Sequence, residues 1–286
     1  MKVLISIFFK KVLDIIISIN SNKLFCNISN IRFIFLGKKD RIKLRTSNGQ
    51  KYLAISDTVS KLDSVFINKR LGYNSYHNGL KERLLQIGES TYMFNLVDFR
   101  DADLVLDVGA NLGDVSMYFR LKKINVRYIG FEPSKSEYKC LAMNIKQDSS
   151  ENVFQVALGN KTGQMTFYSK PDNGDSSLIK MSDFSEKYEI QVKTLDQQIE
   201  ELGLQNTKIK LLKLEAEGFE PEIIQGYNKY LSNVEYVVAD LGPERGNEQE
   251  PTSPEVINYL LNRNFEIINQ TLVRNVFLFK AKKSKV

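Results

Sequence analysis

The chain has a single histidine and two cysteines in 286 residues, and no hydrophobic run long enough to span a bilayer. Cys26 and Cys140 stand far apart and match no metal or redox spacing. They read as packed thiols and point to a reducing, cytoplasmic compartment. The lone histidine, His77, leaves residues 101–286 without the side chain that most often serves as a base near neutrality. Val3 to Ile19 is apolar but interrupted by Lys10 and Lys11. It therefore falls short of the about 18 uninterrupted apolar residues of a membrane span. An export signal is not expected either, since the apolar core is short and no small-residue cleavage site follows.

What is present is ordinary for a globular protein: 42% hydrophobic and 26% charged residues. The length suits one large domain with an appendage. The formal charge of +6 is unevenly spread. Residues 1–50 hold ten Lys/Arg against two Asp, so the remainder is mildly acidic and no nucleic-acid substrate is expected. In the first segment Lys10, Asp14 and Ser18 fall four apart, giving a helix with one polar stripe. Two readings stand for it. The helix docks on its own domain or on a second copy in a homodimer. Alternatively it lies peripherally on the inner face of a membrane, aided by Lys38, Lys39, Arg41, Lys43 and Arg45.

Residues 30–55 alternate as small strands around a turn at Asn48–Gly49. Between Tyr73 and Ile87 a helix is predicted with Asn78 as its cap and Leu80, Leu84, Leu85 and Ile87 on its apolar side. His77, beside that cap, is open to two readings: a general base or a structural polar residue. Residues 1–100 are thus expected to form a helical and small-strand extension, and residues 101–286 the main α/β domain.

The chain is organised around Leu104 to Asp114, L-V-L-D-V-G-A-N-L-G-D. An apolar strand runs into a turn bracketed by Gly109 and Gly113, and from Asp114 the apolar residues recur at helical spacing. This unit forms a nucleotide-type crevice at the carboxyl edge of a sheet, where a glycine without Cβ permits close approach to the backbone. A dinucleotide fingerprint wants G-x-G-x-x-G, yet Asn111 stands at the middle glycine and Asp107 precedes the loop. The loop resembles motif I of class I S-adenosylmethionine-dependent methyltransferases. Cofactor contacts are expected from Asp107, Gly109, Ala110, Asn111, Gly113 and Asp114.

A second strand, Val126 to Phe131, ends in Glu132-Pro133, and a carboxylate there can accept from both hydroxyls of a ribose. Val153 to Leu158 reads as the third strand. By fold analogy Val156 and Ala157 lie beside an adenine. Ser176 and Ser177 sit in a polar loop and are candidate substrate contacts. Ile209 to Leu214 is a strand containing Lys213 and running into Glu215-Ala216-Glu217-Gly218-Phe219-Glu220. Crowding of these carboxylates could raise one pKa enough for base duty. Alternatively, they favour the amino end of the next helix, which Pro221 opens. Asp240 ends a fifth strand as a further substrate candidate, Glu244 to Pro254 reads as a substrate-side flap, and a final antiparallel pair closes the sheet. A metal shared by Glu215 and Asp240 is unsupported by any ligand spacing.

The order of motifs is similar to that of the FkbM family of methyltransferases. They are D-V-G-A-N-L-G-D (107–114), F-E-P with its helix (131–145), A-L-G-N (157–160), S-S-L (176–178), T-L-D (194–196) and L-L-K-L-E-A-E-G-F-E (211–220). The resemblance implies a Rossmann-like class I fold with a seven-stranded, mostly parallel sheet and helices on both faces. It also implies S-adenosyl-L-methionine as cofactor, and methyl transfer to a hydroxyl of a sugar, glycan, macrolide or related secondary metabolite, often in bacterial polysaccharide biosynthesis. The family more often has Asp where this chain has Glu215. Under this reading Glu215, Glu217 and Lys213 are the catalytic candidates, with His77 second. A nicotinamide- or nucleotide-sugar enzyme, and a non-catalytic membrane-associated binding module, are the rival readings.

Overall fold

A computed structural model describes residues 11–282 except 13, 20, 146–149, 171–175, 181–183 and 272–273. The Val3–Ile19 helix is therefore described only from residue 11, and Asn173, Gly174 and Asp175 lie outside the described residues.

An antiparallel meander of β1 (Asp40–Ser47), β2 (Gln50–Asp57) and β3 (Leu62–Phe66) follows helix α1 (Asn22–Phe35). The hairpin turns at Asn48–Gly49, as the sequence predicts. The helix was not foreseen. Ser21 caps it by accepting the Leu24 N–H. The Asn30 amide donates to the Ile42 carbonyl at 2.9 Å and accepts its N–H at 2.7 Å, closing the outer edge of β1. Helices α2 (Lys69–Tyr76) and α3 (Leu80–Leu85) come next. Asn78 does not cap α3. Gly79, at φ +101°, is the entry residue, and Asp40 on β1 accepts the Leu80 N–H at 2.7 Å. A tertiary carboxylate has replaced the local cap. A π-helical turn over Gln86–Thr91 then delivers Tyr92.

The main sheet begins at β4 (Leu104–Val108), buried along its whole length. It continues through α4 (Asp114–Lys122), β5 (Arg127–Phe131), α5 (Lys135–Asn144) and β6 (Glu151–Phe154). β7 (Ala157–Leu158), β8 (Gly163–Ser169) and β9 (Glu186–Lys193) form a separate three-stranded sheet. The predicted third strand, Val153–Leu158, is thus two strands: Glu132 donates to the Phe154 carbonyl where β6 ends, and Ala157 pairs with Val192 instead. After α6 (Leu195–Glu201) come β10 (Ile209–Leu214), α7 (Glu220–Gln225) and β11 (Val234–Asp240). The expected flap is a small hairpin of β12 (Pro243–Arg245) and β13 (Glu250–Pro251). Helix α8 (Ser253–Leu261), β14 (Phe265–Thr271) and β15 (Val276–Ala281) complete the domain.

The seven main strands lie in the order β14-β15-β11-β10-β4-β5-β6, with β15 antiparallel to both its neighbours. Side-chain alternation sends successive residues of a strand to opposite faces. Leu104, Leu106 and Val108 pack with Ile199, Ile223 and Leu260 from α6, α7 and α8. Val105 packs on the other face with Val115, Tyr118 and Phe119 of α4. Helices thus cover both faces, which is why the strands read as unbroken apolar runs. The extension shares a core with this domain: Phe66, Leu71 and Tyr76 join Leu112, Met117 and Cys140.

Candidate active site

A cleft of about 360 Å³ opens at the carboxyl ends of β4, β5 and β10. Its floor is the loop after β4. Gly109 and Ala110 both donate their N–H to the Phe131 carbonyl, at 2.9 and 3.1 Å. Asn111, at φ +47°, donates its N–H to Glu132 Oε2 at 2.7 Å, and Gly113 donates to Ala110. Gly109 is at φ +73°, and a Cβ there would run into the backbone carbonyl of Glu215. The glycine is required because two strand ends cross at this point, rather than only to admit a ligand.

Glu132 is buried, and its second oxygen accepts the Ser134 N–H at 2.8 Å. Burial, reinforced by the nearby Glu137 carboxylate, pushes its pKa up to about 8 against the pull of those two N–H groups. Pro133, Val156 and Ala157 line the same end of the cleft with Phe131, Leu158 and Phe167. Asp114 lines it too, but both its oxygens are engaged by the extension: Tyr76 donates its hydroxyl and Arg83 its Nε, each at 2.8 Å.

At the opposite end Lys213 is almost fully buried. Its Nζ lies 3.1 Å from Asp107 and 3.3 Å from Glu215, and donates to the carbonyls of Val108 and Gly109. Asp107, which also accepts the Tyr128 hydroxyl at 2.6 Å, lies beneath the loop and not in the cleft wall. Burial pulls the Lys213 pKa down, but Asp107 and Glu215 reverse this and leave it raised. Lys213 is a charge anchor. Glu215 is gripped by Tyr92, Lys213 and Arg274, the last at 2.8 Å. Burial alone would raise its pKa, yet the two cations hold it at about 2. A carboxyl so acidic is a poor base near pH 7.

The remaining candidates divide. Glu217, at φ +49°, lines the cleft and its carbonyl accepts the Ser177 hydroxyl at 3.0 Å. Ser176 and Ser177 line it as well, although the Ser176 hydroxyl accepts the Lys170 N–H. Glu220 instead caps its own turn, accepting from Ala216 and Gly218. Asp240 does not reach the cleft wall: it is buried 2.8 Å behind Arg274, whose guanidinium also contacts Glu215. The position a shared metal would take is thus filled by a cation of the chain itself. Among the described residues no group of three or more His, Cys, Asp or Glu is arranged to hold a metal.

His77 is a correction. It ends α2 facing away from the cleft, with Nδ1 against the Tyr73 and Asn74 carbonyls and its own carbonyl accepting from Arg32. Burial lowers its pKa. The helix that carries it presents Asn74 and Ser75 to the cleft instead.

Sequence reasoning missed Arg83, Tyr92 and Arg274, which line the cleft, and placed Glu244 only as the start of a flap. None belongs to the motif that organises the chain. Glu244 sits on the β12–β13 hairpin, fixed in place because its neighbour Arg245 grips Glu222 of α7 with two nitrogens, at 3.0 and 2.6 Å. Burial and the carboxylates of Asp240 and Glu215 push the Glu244 pKa up to about 8. It is the cleft carboxyl at the Glu215 end whose pKa has been driven toward neutrality.

The strand order with a reversed penultimate strand, a glycine loop after the first strand and an acid ending the second define a class I methyltransferase fold. The chain belongs to the FkbM methyltransferase family, whose domain model, "Methyltransferase FkbM domain", matches residues 107–267. It is similar to the 31-O-demethyl-FK506 methyltransferase FkbM of Streptomyces tacrolimicus, with 28% identity over 47% of this chain and 63% of that protein. The chain thus spans less than two thirds of that relative's length. It is also similar to Methyltransferase 1 of Beauveria bassiana strain ARSEF 2860, with 22% identity over 54% of this chain and 70% of the relative. Among solved structures it is similar to M. capricolum TrmK in complex with S-adenosyl-homocysteine. The identity is 7%, the TM-score 0.40, and the match covers 70% of this chain and 68% of that one. No helix of the described residues is long and apolar enough to cross a membrane.

Proposed function

We propose that this chain is an S-adenosylmethionine-dependent O-methyltransferase acting on a hydroxyl of a sugar, glycan or related small molecule. The observation that carries the reading is what the glycine loop does with its N–H groups. Those of Gly109, Ala110, Asn111 and Gly113 are all engaged within the chain, so these four are not offered to a pyrophosphate. The lining adds six carboxyl side chains, at Asp114, Glu132, Glu137, Glu215, Glu217 and Glu244, against the cations Arg83, Lys213 and Arg274. Even with Glu132 and Glu244 largely protonated near pH 7, the lining has no excess of cations for a pyrophosphate, which favours a sulfonium cofactor over dinucleotides and nucleotide sugars.

The fit at the nucleoside end is specific. Each Glu132 oxygen takes one backbone N–H and retains a lone pair for a ribose hydroxyl. Phe131, Val156, Ala157, Leu158 and Phe167 provide apolar walls for a purine. When bound, the cofactor supplies an electrophilic methyl group on a sulfonium. The protein's part is to align the acceptor oxygen and exclude water. Asn74, Ser75, Arg83 and Tyr92 furnish polar contacts for an acceptor rich in hydroxyls. Glu244 is the carboxyl placed to take the departing proton, while Glu215 holds Tyr92 and Arg274 in position.

Calorimetric titration with S-adenosylhomocysteine tests the cofactor. Micromolar binding is expected for the wild type, weakened at least about 100-fold in Glu132→Ala, the loss of two charge-assisted hydrogen bonds. Binding of NAD or a nucleotide sugar in its place would sink the reading. A pH series tests the same carboxyl. Ribose hydroxyls donate to the ionised form, so below a pKa of about 8 binding must expel a proton. Affinity is expected to rise up to about tenfold per pH unit from pH 6 to 8, then flatten. In Glu132→Gln this rise should be absent.

A further inference from the structure

The extension carries an apolar surface that the cleft does not use. Leu24, Ile31 and Ile34 on the outer side of α1 are 38, 42 and 60% exposed, and Ile15 and Ile19 in the preceding helical segment are 61 and 59% exposed. Three large aliphatic side chains at this exposure on one 14-residue helix are more than scattered single positions. Their surroundings are basic. Lys11 and Lys23, on the same two helical segments as these side chains, are exposed, as is Lys39 just beyond the end of α1. The acids nearby do not offset them. Asp14 pairs with Arg70, and Asp40 is buried at the start of α3.

We propose that this face docks on an anionic lipid bilayer. The isoleucines enter the interface between headgroups and acyl chains, and the lysines meet the lipid phosphates. Charge complementarity selects this occupant over a second copy of the chain, whose identical face would bring the same cations together. The length of α1, 14 residues, suits a helix lying in the interface and not across it. The extension that carries the face also provides Asn74, Ser75, Arg83 and Tyr92 to the cleft.

Sedimentation of the full chain with sucrose-loaded vesicles tests the proposal, using phosphatidylcholine with and without phosphatidylglycerol. Partitioning onto the anionic vesicles at least about tenfold above the neutral ones is expected, falling as salt is raised. Ile31→Glu with Ile34→Glu should remove it, at exposed positions that leave the melting temperature unchanged. Lys11→Glu with Lys23→Glu tests the charge separately and should also abolish sedimentation with anionic vesicles. A wild type that stays in the supernatant would overturn the proposal, as would variants that sediment undiminished. So would a dimer by light scattering that the isoleucine variant dissociates while neither form binds vesicles; the face would then belong to a second copy.

Discussion

Gly109→Ala is expected to lose both the folded state's margin and the cofactor site. The residue combines φ +73° with a direction in which any Cβ meets the Glu215 carbonyl, backbone against backbone. Neither partner can yield without moving the end of β4 or of β10, both in the middle of the sheet. Conformational strain and overpacking together should cost roughly 4 kcal/mol or more. The matched control is Gly163→Ala, where nothing lies within 4 Å of the added methyl and φ is not positive. It should shift stability by no more than about 0.5 kcal/mol. Urea denaturation of the three proteins measures the difference. A Gly109→Ala variant as stable as the control would mean that the two strand ends do not cross as described.

The second large effect is expected at Lys213. Its ammonium is the shared partner of Asp107 and Glu215, and it also satisfies two strand-end carbonyls. Lys213→Met keeps the apolar stem but leaves two buried carboxylates without it, a loss of about 3–5 kcal/mol. The pH dependence gives a sharper check. Glu215 has its folded pKa depressed from 4.5 to about 2, so its pairing stabilises the protein above pH 4.5 and ceases to do so as pH falls through about 2. The gap in stability between wild type and variant should therefore be widest at neutral pH and narrow between pH 4.5 and 2. A gap that stays constant over that range would assign the loss to packing instead.

The central strand, loop and helix were legible because their local pattern and their tertiary role agree: a fully buried strand must be an apolar run, and a turn at positive φ asks for glycine. Glu132 was legible for a similar reason, since a strand-end acid before Pro133 has few other uses. Helix α1 was not, because Phe25 and Phe33 face the core while Ile31 and Ile34 face outward, which erases the contrast a periodic reading depends on. The acceptor end was the least legible. Glu215 looks like a base in the sequence because neighbouring carboxylates suggest repulsion. In the fold, Arg274 comes from 59 residues further along the chain to neutralise it, and the raised pKa passes to Glu244. Tyr92 depends on a π-helical turn and a left-handed Met93 to reach Glu215. No local spacing encodes such meetings.

The lateness of Arg274 also bears on how the polypeptide is made. On a ribosome, Glu215, Asp240 and Glu244 all emerge before the guanidinium that sits among them. Until the turn between β14 and β15 arrives, Glu215 has Lys213 beside it but lacks its second cation, and Asp240 lacks Arg274. Completion of this ion cluster thus awaits the last hairpin.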